Sequence, residues 1–93
     1  MPGATIAIDF DDTFTADREL WAAFIRHAQC RGHHVVCISA RRNTLEHRQH
    51  VAEALPPGVR VLLAYDCPKR EYALQHGLAV DIWIDDCPEA IGS

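Results

Sequence analysis

The chain of 93 residues has no Cys-x-x-Cys pair, one lysine among nine basic residues, and no apolar stretch long enough to cross a bilayer. Without a paired-cysteine framework, and with apolar residues enough for a core, Cys30, Cys37, Cys67 and Cys87 are expected to be reduced thiols, as in a cytoplasm. The apolar stretches are short and broken by charges or glycines. Met1-Pro2-Gly3-Ala4 is not a cationic leader followed by an apolar run, so neither secretion nor a membrane partner is expected. No internal repeat, linker or low-complexity tract divides the chain, and its length makes one domain spanning residues 1–93.

Excess positive charge is also missing. Nine Lys and Arg against thirteen Asp and Glu leave a net charge of −4, the wrong sign for a protein that coats nucleic acid through bulk charge, although a local basic patch is compatible with it. At 48% hydrophobic and 24% charged residues, the composition is that of a chain that folds. A domain this small buries a modest share of its surface, so docking against a partner or a second copy would add stability. A zinc site is incomplete: Cys30-Arg31-Gly32-His33-His34, with His27 one turn earlier, offers a thiolate and imidazoles. No second ligand pair at a recognisable spacing completes the set.

Four short, β-branched apolar runs are present, each ending in polar or turn-forming residues. They are Thr5–Ile8 before Asp9, Val35–Ile38 before Ser39, Val59–Leu63 before Ala64, and Val80–Ile84 before Asp85. Nearly continuous runs of this kind are the pattern of buried parallel strands. Helical patterns lie between them. The first covers Arg18 to Arg31, with Asp17 as N-cap, Leu20, Trp21, Phe24, Ile25 and Ala28 on one face, and Gly32 as the stop. The second begins at Asn43 or Thr44, where Asn43 and Glu46 have capping-box spacing, and ends before Pro56-Pro57-Gly58. The third starts near Pro68, carries Tyr72, Ala73 and Leu74, and stops at Gly77. Strands joined by helices need right-handed crossovers, which predicts a three-layer α/β/α open parallel sheet of about four strands with helices on both faces. Ligands of such sheets bind beyond the carboxyl ends of the strands, near the point where strand order reverses.

Those strand ends carry the chemistry. The first ends in Asp9-Phe10-Asp11-Asp12-Thr13 and the last in Asp85-Asp86, so five carboxylates would converge on one edge. Like charges at that density raise one another's pKa and oppose folding, and a divalent cation is the natural compensation. Oxygen-only ligation favours a hard ion, magnesium before zinc or copper. The same edge receives a hydroxyl, Ser39, and the only ammonium side chain, Lys69. A carboxylate nucleophile, a second carboxylate two residues on, a metal, and donors for phosphoryl oxygens together describe a phosphoryl-transfer site.

In these residues the chain resembles the haloacid dehalogenase (HAD) superfamily of phosphotransferases. That signature is an apolar strand into D-x-D-x-T, an apolar strand into Ser or Thr, a Lys, and an apolar strand into an acidic pair. Asp9 to Thr13, Ser39, Lys69 and Asp85-Asp86 supply it in order. The resemblance implies a magnesium-dependent phosphatase in which Asp9 attacks phosphorus and becomes a phosphoaspartate, while Asp11 protonates the leaving oxygen and later takes a proton from water. It also implies that the Asp9 carboxylate, the Asp11 backbone carbonyl and the Asp85-Asp86 pair hold Mg2+, with Asp86 as direct ligand and Asp85 outside it. Ser39, Lys69 and Thr13 would then face the phosphoryl group. Ser39-Ala40-Arg41 resembles an extension found in some polynucleotide and sugar phosphatases of the superfamily, which gives Arg41 a grip on a leaving group or second phosphate.

The cap domain common in that superfamily has no room here. The short spans Thr13 to Arg18 and Leu63 to Lys69, and the stop at Ser93 where a further strand often follows, describe a minimal capless core. An open site suits bulky or polymeric substrates, so the expected substrate is a nucleotide, a nucleic-acid end or another exposed phosphate, with a neighbouring subunit able to act as lid. Two alternatives are weighed beside it. One is a non-catalytic HAD-like metal-binding or regulatory module; the other is a receiver domain, whose order of acid, hydroxyl and lysine differs from the order here. His47 and His50, on one side of the second helix, read as solvent-facing, Asp12 as a turn residue, and Trp21, Phe24 and Trp83 as packing residues.

Overall fold

The computed structural model describes residues 3–92. Met1, Pro2 and Ser93 lie outside the described residues, and with them the part of the leaderless reading that rests on Met1 and Pro2. Four strands, β1 (Thr5–Ile8), β2 (His34–Ser39), β3 (Arg60–Leu63) and β4 (Ile82–Ile84), alternate with three helices, α1 (Arg18–Cys30), α2 (Leu45–Ala54) and α3 (Lys69–Gln75). Single 3-10 turns follow β1 at Phe14–Ala16 and β4 at Pro88–Ala90. The sheet is wholly parallel in the order β3-β2-β1-β4, an α/β fold with no cap domain among the described residues.

Period-two alternation divides each strand between two cores. Ile6, Ile8, Val35, Cys37, Val61 and Leu63 face the layer of α1 and α2, where they meet Ile25, Ala28, Val51 and Leu55. Ala7, Val36, Ile38 and Leu62 face α3 and its Ala73. Two crossovers running one way with helices on one face, then one reversing with its helix on the other face, keep every connection right-handed. The reversal lies between β1 and β4, which opens the crevice at their carboxyl ends.

Local chemistry sets the element ends. Asp17 Oδ1 accepts from Leu20 N at 3.0 Å to start α1. Its end is a reverse turn with Gly32 at φ 86°, where Gly32 N donates to Gln29 O and His33 N to Ala28 O. That left-handed geometry suits glycine. At α2 the structure departs from the Asn43–Glu46 capping box. Thr44 is the cap, its Oγ1 accepting from His47 N at 3.1 Å, and Asn43 Oδ1 accepts instead from Arg48 Nη2 at 3.0 Å. Strand starts fall one or two residues later than expected, at Arg60 and Ile82; before β4, Asp81 Oδ2 accepts from Thr5 N at 2.8 Å. Leu20, expected on the buried face of α1, is exposed, as is Leu74 on α3. Each lies one position off the stripe that meets the sheet. Trp21 and Phe24 are half-buried and pack edge to face, 5.7 Å apart.

No described helix is long and apolar enough to cross a membrane. Thr44→Ala should destabilise the protein by about 1 kcal/mol in urea unfolding, the usual cost of a lost N-cap. Glu46→Ala should change it little; the opposite ranking would reinstate the capping box.

Candidate functional site

Asp9 follows β1 directly and is tied to the next strand by its own N–H, which donates to Ile84 O at 2.9 Å. The chain then turns back on itself: Phe14 N donates to Asp9 O and Thr15 N to Phe10 O, with Asp12 at φ 62°. Asp12 is thus the turn residue expected. The turn buries Phe10 and Phe14, stacked 5.8 Å apart, under the loop. It also carries the hydroxyl of Thr13 back to the strand ends. Thr13 Oγ1 lies 2.9 Å from Asp86 Oδ1 and 3.3 Å from Asp9 Oδ2, and it accepts from Asp86 N at 3.1 Å. With one proton to donate, this buried hydroxyl is occupied in holding Asp86 to the β1 turn rather than directed at the cleft.

Lys69 begins α3 and is only 2% exposed. Its Nζ donates to Asp9 Oδ1 at 2.9 Å and to Asp85 Oδ2 at 2.6 Å. The other Asp85 oxygen accepts from Cys87 N at 2.9 Å, so Asp85 also starts the short turn after β4. Burial works against the Lys69 charge, but its hydrogen bonds to Asp85 and Asp9 outweigh this and raise its pKa. Asp9 goes the other way from an ordinary ion pair, its pKa pushed up to about 6. Burial is the largest cause; Lys69 opposes it, and hydrogen bonding to Asp86 and the charge of Asp85 add to it. One ammonium is shared between two acids, with a third beside them. Asp9, Asp85 and Asp86 each offer a carboxylate oxygen, all within 4.8 Å of one another, and could hold a metal ion. The donor set is entirely oxygen, and only Asp86 has neither oxygen bound to a cation, which fits a hard cation entering beside it.

Ser39, Asp9, Asp11, Arg41, Lys69, Asp85 and Asp86 line one open cleft of about 380 Å³, a size ordinary for a small-molecule site. Ser39 is buried at its inner end, where Oγ accepts from Arg41 N at 3.2 Å. Asp11 and Arg41 are engaged with each other: Nε and Nη2 donate to the two carboxylate oxygens at 2.8 Å each, and the guanidinium stands 5.3 Å from the Phe10 ring centroid. That hydrogen bonding holds the Asp11 carboxyl below its usual range despite some desolvation. On the far side of the acid pair a second hollow of about 290 Å³ is bordered by Asp12, Thr13 and Trp21.

All eight residues singled out in the sequence therefore meet at one edge, with two placements the sequence did not indicate. Arg41 closes on Asp11, and Thr13 bridges Asp9 to Asp86. Partners 30 and 73 residues apart in the chain leave no local pattern, and only the Thr at the end of D-x-D-x-T hints at the second. The cysteine and histidine stretch is not assembled: Cys30 is exposed, and His33 Nδ1 accepts from Ala4 N at 3.0 Å. Cys37, buried beneath the site, has its thiol pushed up to about 12 by burial and stays protonated. His50 is exposed, at the edge of the Phe10 ring, and His47 is half-buried with Nδ1 near Arg42 O. The chain matches no protein family, no characterised protein and no solved structure.

Two measurements check these electrostatics. Asp9 binds its proton more tightly folded than at its ordinary 3.8, so its contribution is full below about pH 4 and is lost as pH rises through about 6. In EDTA, urea stability should fall across that window, by up to about 3 kcal/mol for two pKa units, and Asp9→Asn should flatten the curve. A flat wild-type curve would mean that Lys69 keeps Asp9 ionised. Lys69→Met leaves two buried carboxylates facing each other and should cost about 3–5 kcal/mol by the same assay at pH 7.

Proposed function

We propose that the protein is a magnesium-dependent phosphomonoester hydrolase of HAD type, working through a phosphoaspartate. The observation that carries the reading is the single buried ammonium spread over converging carboxylates at the reversal point of the sheet, facing an open cleft that also holds a serine hydroxyl. A structural ion pair needs one acid. Three acids with one lysine leave a net charge of 1 − 3 = −2, and phosphoryl-transfer sites use that imbalance to hold a cation. Asp9, Asp85 and Asp86 would hold magnesium, which supplies positive charge against the phosphoryl oxygens.

Asp9 Oδ attacks phosphorus in line, and the bond from phosphorus to the leaving oxygen breaks with its electron pair going to that oxygen. Asp11 gives the leaving oxygen a proton. Water then attacks the phosphoaspartate, Asp11 takes its proton, the bond from phosphorus to Asp9 breaks, and inorganic phosphate leaves with Asp9 restored. Ser39 and Lys69 donate to phosphoryl oxygens throughout. Arg41 holds the Asp11 carboxyl below its usual range, so Arg41 has to leave and Asp11 has to take a proton from solvent before that acid can serve; an anionic substrate draws the guanidinium away by offering it a second set of oxygens. The open cleft suits an exposed phosphate on a nucleotide or nucleic-acid end.

The Asp11–Arg41 pair also favours a second reading, a metal-binding module that does not turn over, because it occupies the proposed proton donor. Hydrolysis of acetyl phosphate and ribose 5-phosphate with magnesium decides between them. The hydrolase should lose all measurable turnover in EDTA and in Asp9→Asn, and fall by about 10²–10⁴-fold in Asp11→Asn. A metal fluoride should be trapped by wild type and not by Asp9→Asn. Wild-type protein that binds magnesium without turnover above Asp9→Asn would leave the module.

A further inference from the structure

One feature of the same edge has no part in the phosphoryl chemistry. Tyr65, two residues beyond β3, is 46% exposed, and Arg42, three beyond β2, lies with its Cζ 4.6 Å from the Tyr65 ring centroid. The two loops run together because Ser39 pairs with Leu63 in parallel register and Ala64 N donates to Ser39 O at 2.7 Å. Arg42 follows Arg41, whose side chain borders the cleft. Arg41 thus borders the cleft while its chain neighbour Arg42 stands over the exposed Tyr65 ring at the same carboxyl edge of the sheet.

Both planes stack well on a further flat π-system, and neither selects among bases by hydrogen bonding. Arg42 also sets a positive charge at this rim, which favours an anionic ligand. The geometry points to a nucleobase subsite, in which Tyr65 and Arg42 stack the base of the molecule whose phosphate enters the cleft. The substrate class becomes base-bearing phosphate monoesters, in preference to sugar phosphates or phosphorylated side chains, which leave the platform unused. The phosphatase reading supplies the position of the phosphate and is assumed here; stacking on Tyr65 is separable from it. A free nucleotide and the last nucleotide of a single strand present the same base.

The test compares kcat/KM for thymidine 3′-monophosphate, a 3′-phosphorylated tetranucleotide and ribose 5-phosphate in wild type, Tyr65→Ala and Tyr65→Phe. Wild type should prefer both base-bearing substrates by about tenfold or more, the usual worth of one stacked base. The preference should collapse in Tyr65→Ala and persist in Tyr65→Phe. As a ratio within one preparation it is insensitive to the fraction folded. A faster tetranucleotide assigns the base to a strand end and a faster mononucleotide to the free nucleotide, and either ranking supports the subsite. No preference in wild type, or one that survives Tyr65→Ala, overturns it. If no ester is turned over, the phosphatase reading fails separately. Equilibrium titration then reads the platform: thymidine monophosphate binding weakened about tenfold in Tyr65→Ala supports it, and equal affinity overturns it.

Discussion

An ammonium withdrawn from water between two carboxylates decides how the rest of this small sheet is arranged. Lys69 reaches Asp9 and Asp85 at once, so the start of α3 and the ends of β1 and β4 have to meet at one point. Arg70 N donates to Ile91 O at 2.9 Å, fastening the turn after β4 to the same place. Buried ion pairs return little net stability, because desolvation offsets most of the attraction. Their effect is on geometry: few arrangements satisfy three hydrogen-bonding requirements in so little space. The arrangement still leaves negative charge uncompensated, and the raised pKa of Asp9 expresses that deficit.

Topology explains why the deficit falls where it does. With β1 in the interior of the sheet and β4 added on the side away from β2, the loops leaving β1 and β4 diverge toward different faces. The crevice between them opens at the carboxyl ends of β1 and β4. Phe10 and Phe14 fill the space beneath the first loop, so Asp9 and Asp11 stand on a packed floor. The guanidinium of Arg41 rests on the same ring, which ties the cationic rim to the acidic centre.

The strands, helices and layer arrangement were readable because burial and period agree: short β-branched runs alternate with helical stripes, and each junction carries a suitable turn residue. The carboxylates, Ser39 and Lys69 were readable for a related reason, since strand ends of a parallel sheet gather residues whatever their separation in the chain. What escaped was decided by side-chain competition. Thr44 rather than Asn43 caps α2, because Asn43 is engaged by Arg48. The pairing of Arg41 with Asp11, 30 residues away in the chain, leaves no local pattern to read. Tyr65 and Arg42 look like unremarkable loop residues until β2 and β3 are placed side by side.

The position of β1 in the sheet also bears on the order of events during synthesis. A chain made from its amino end presents Asp9, Asp11 and Asp12 first, beside β2, long before Lys69 and the strand that completes the site exist. Until β4 docks, one flank of β1 is an open edge and its acids lack their ammonium. Every part of the proposed chemistry thus depends on the last strand of the sheet to be made, and a nascent chain halted before α3 carries the nucleophile without the means to use it.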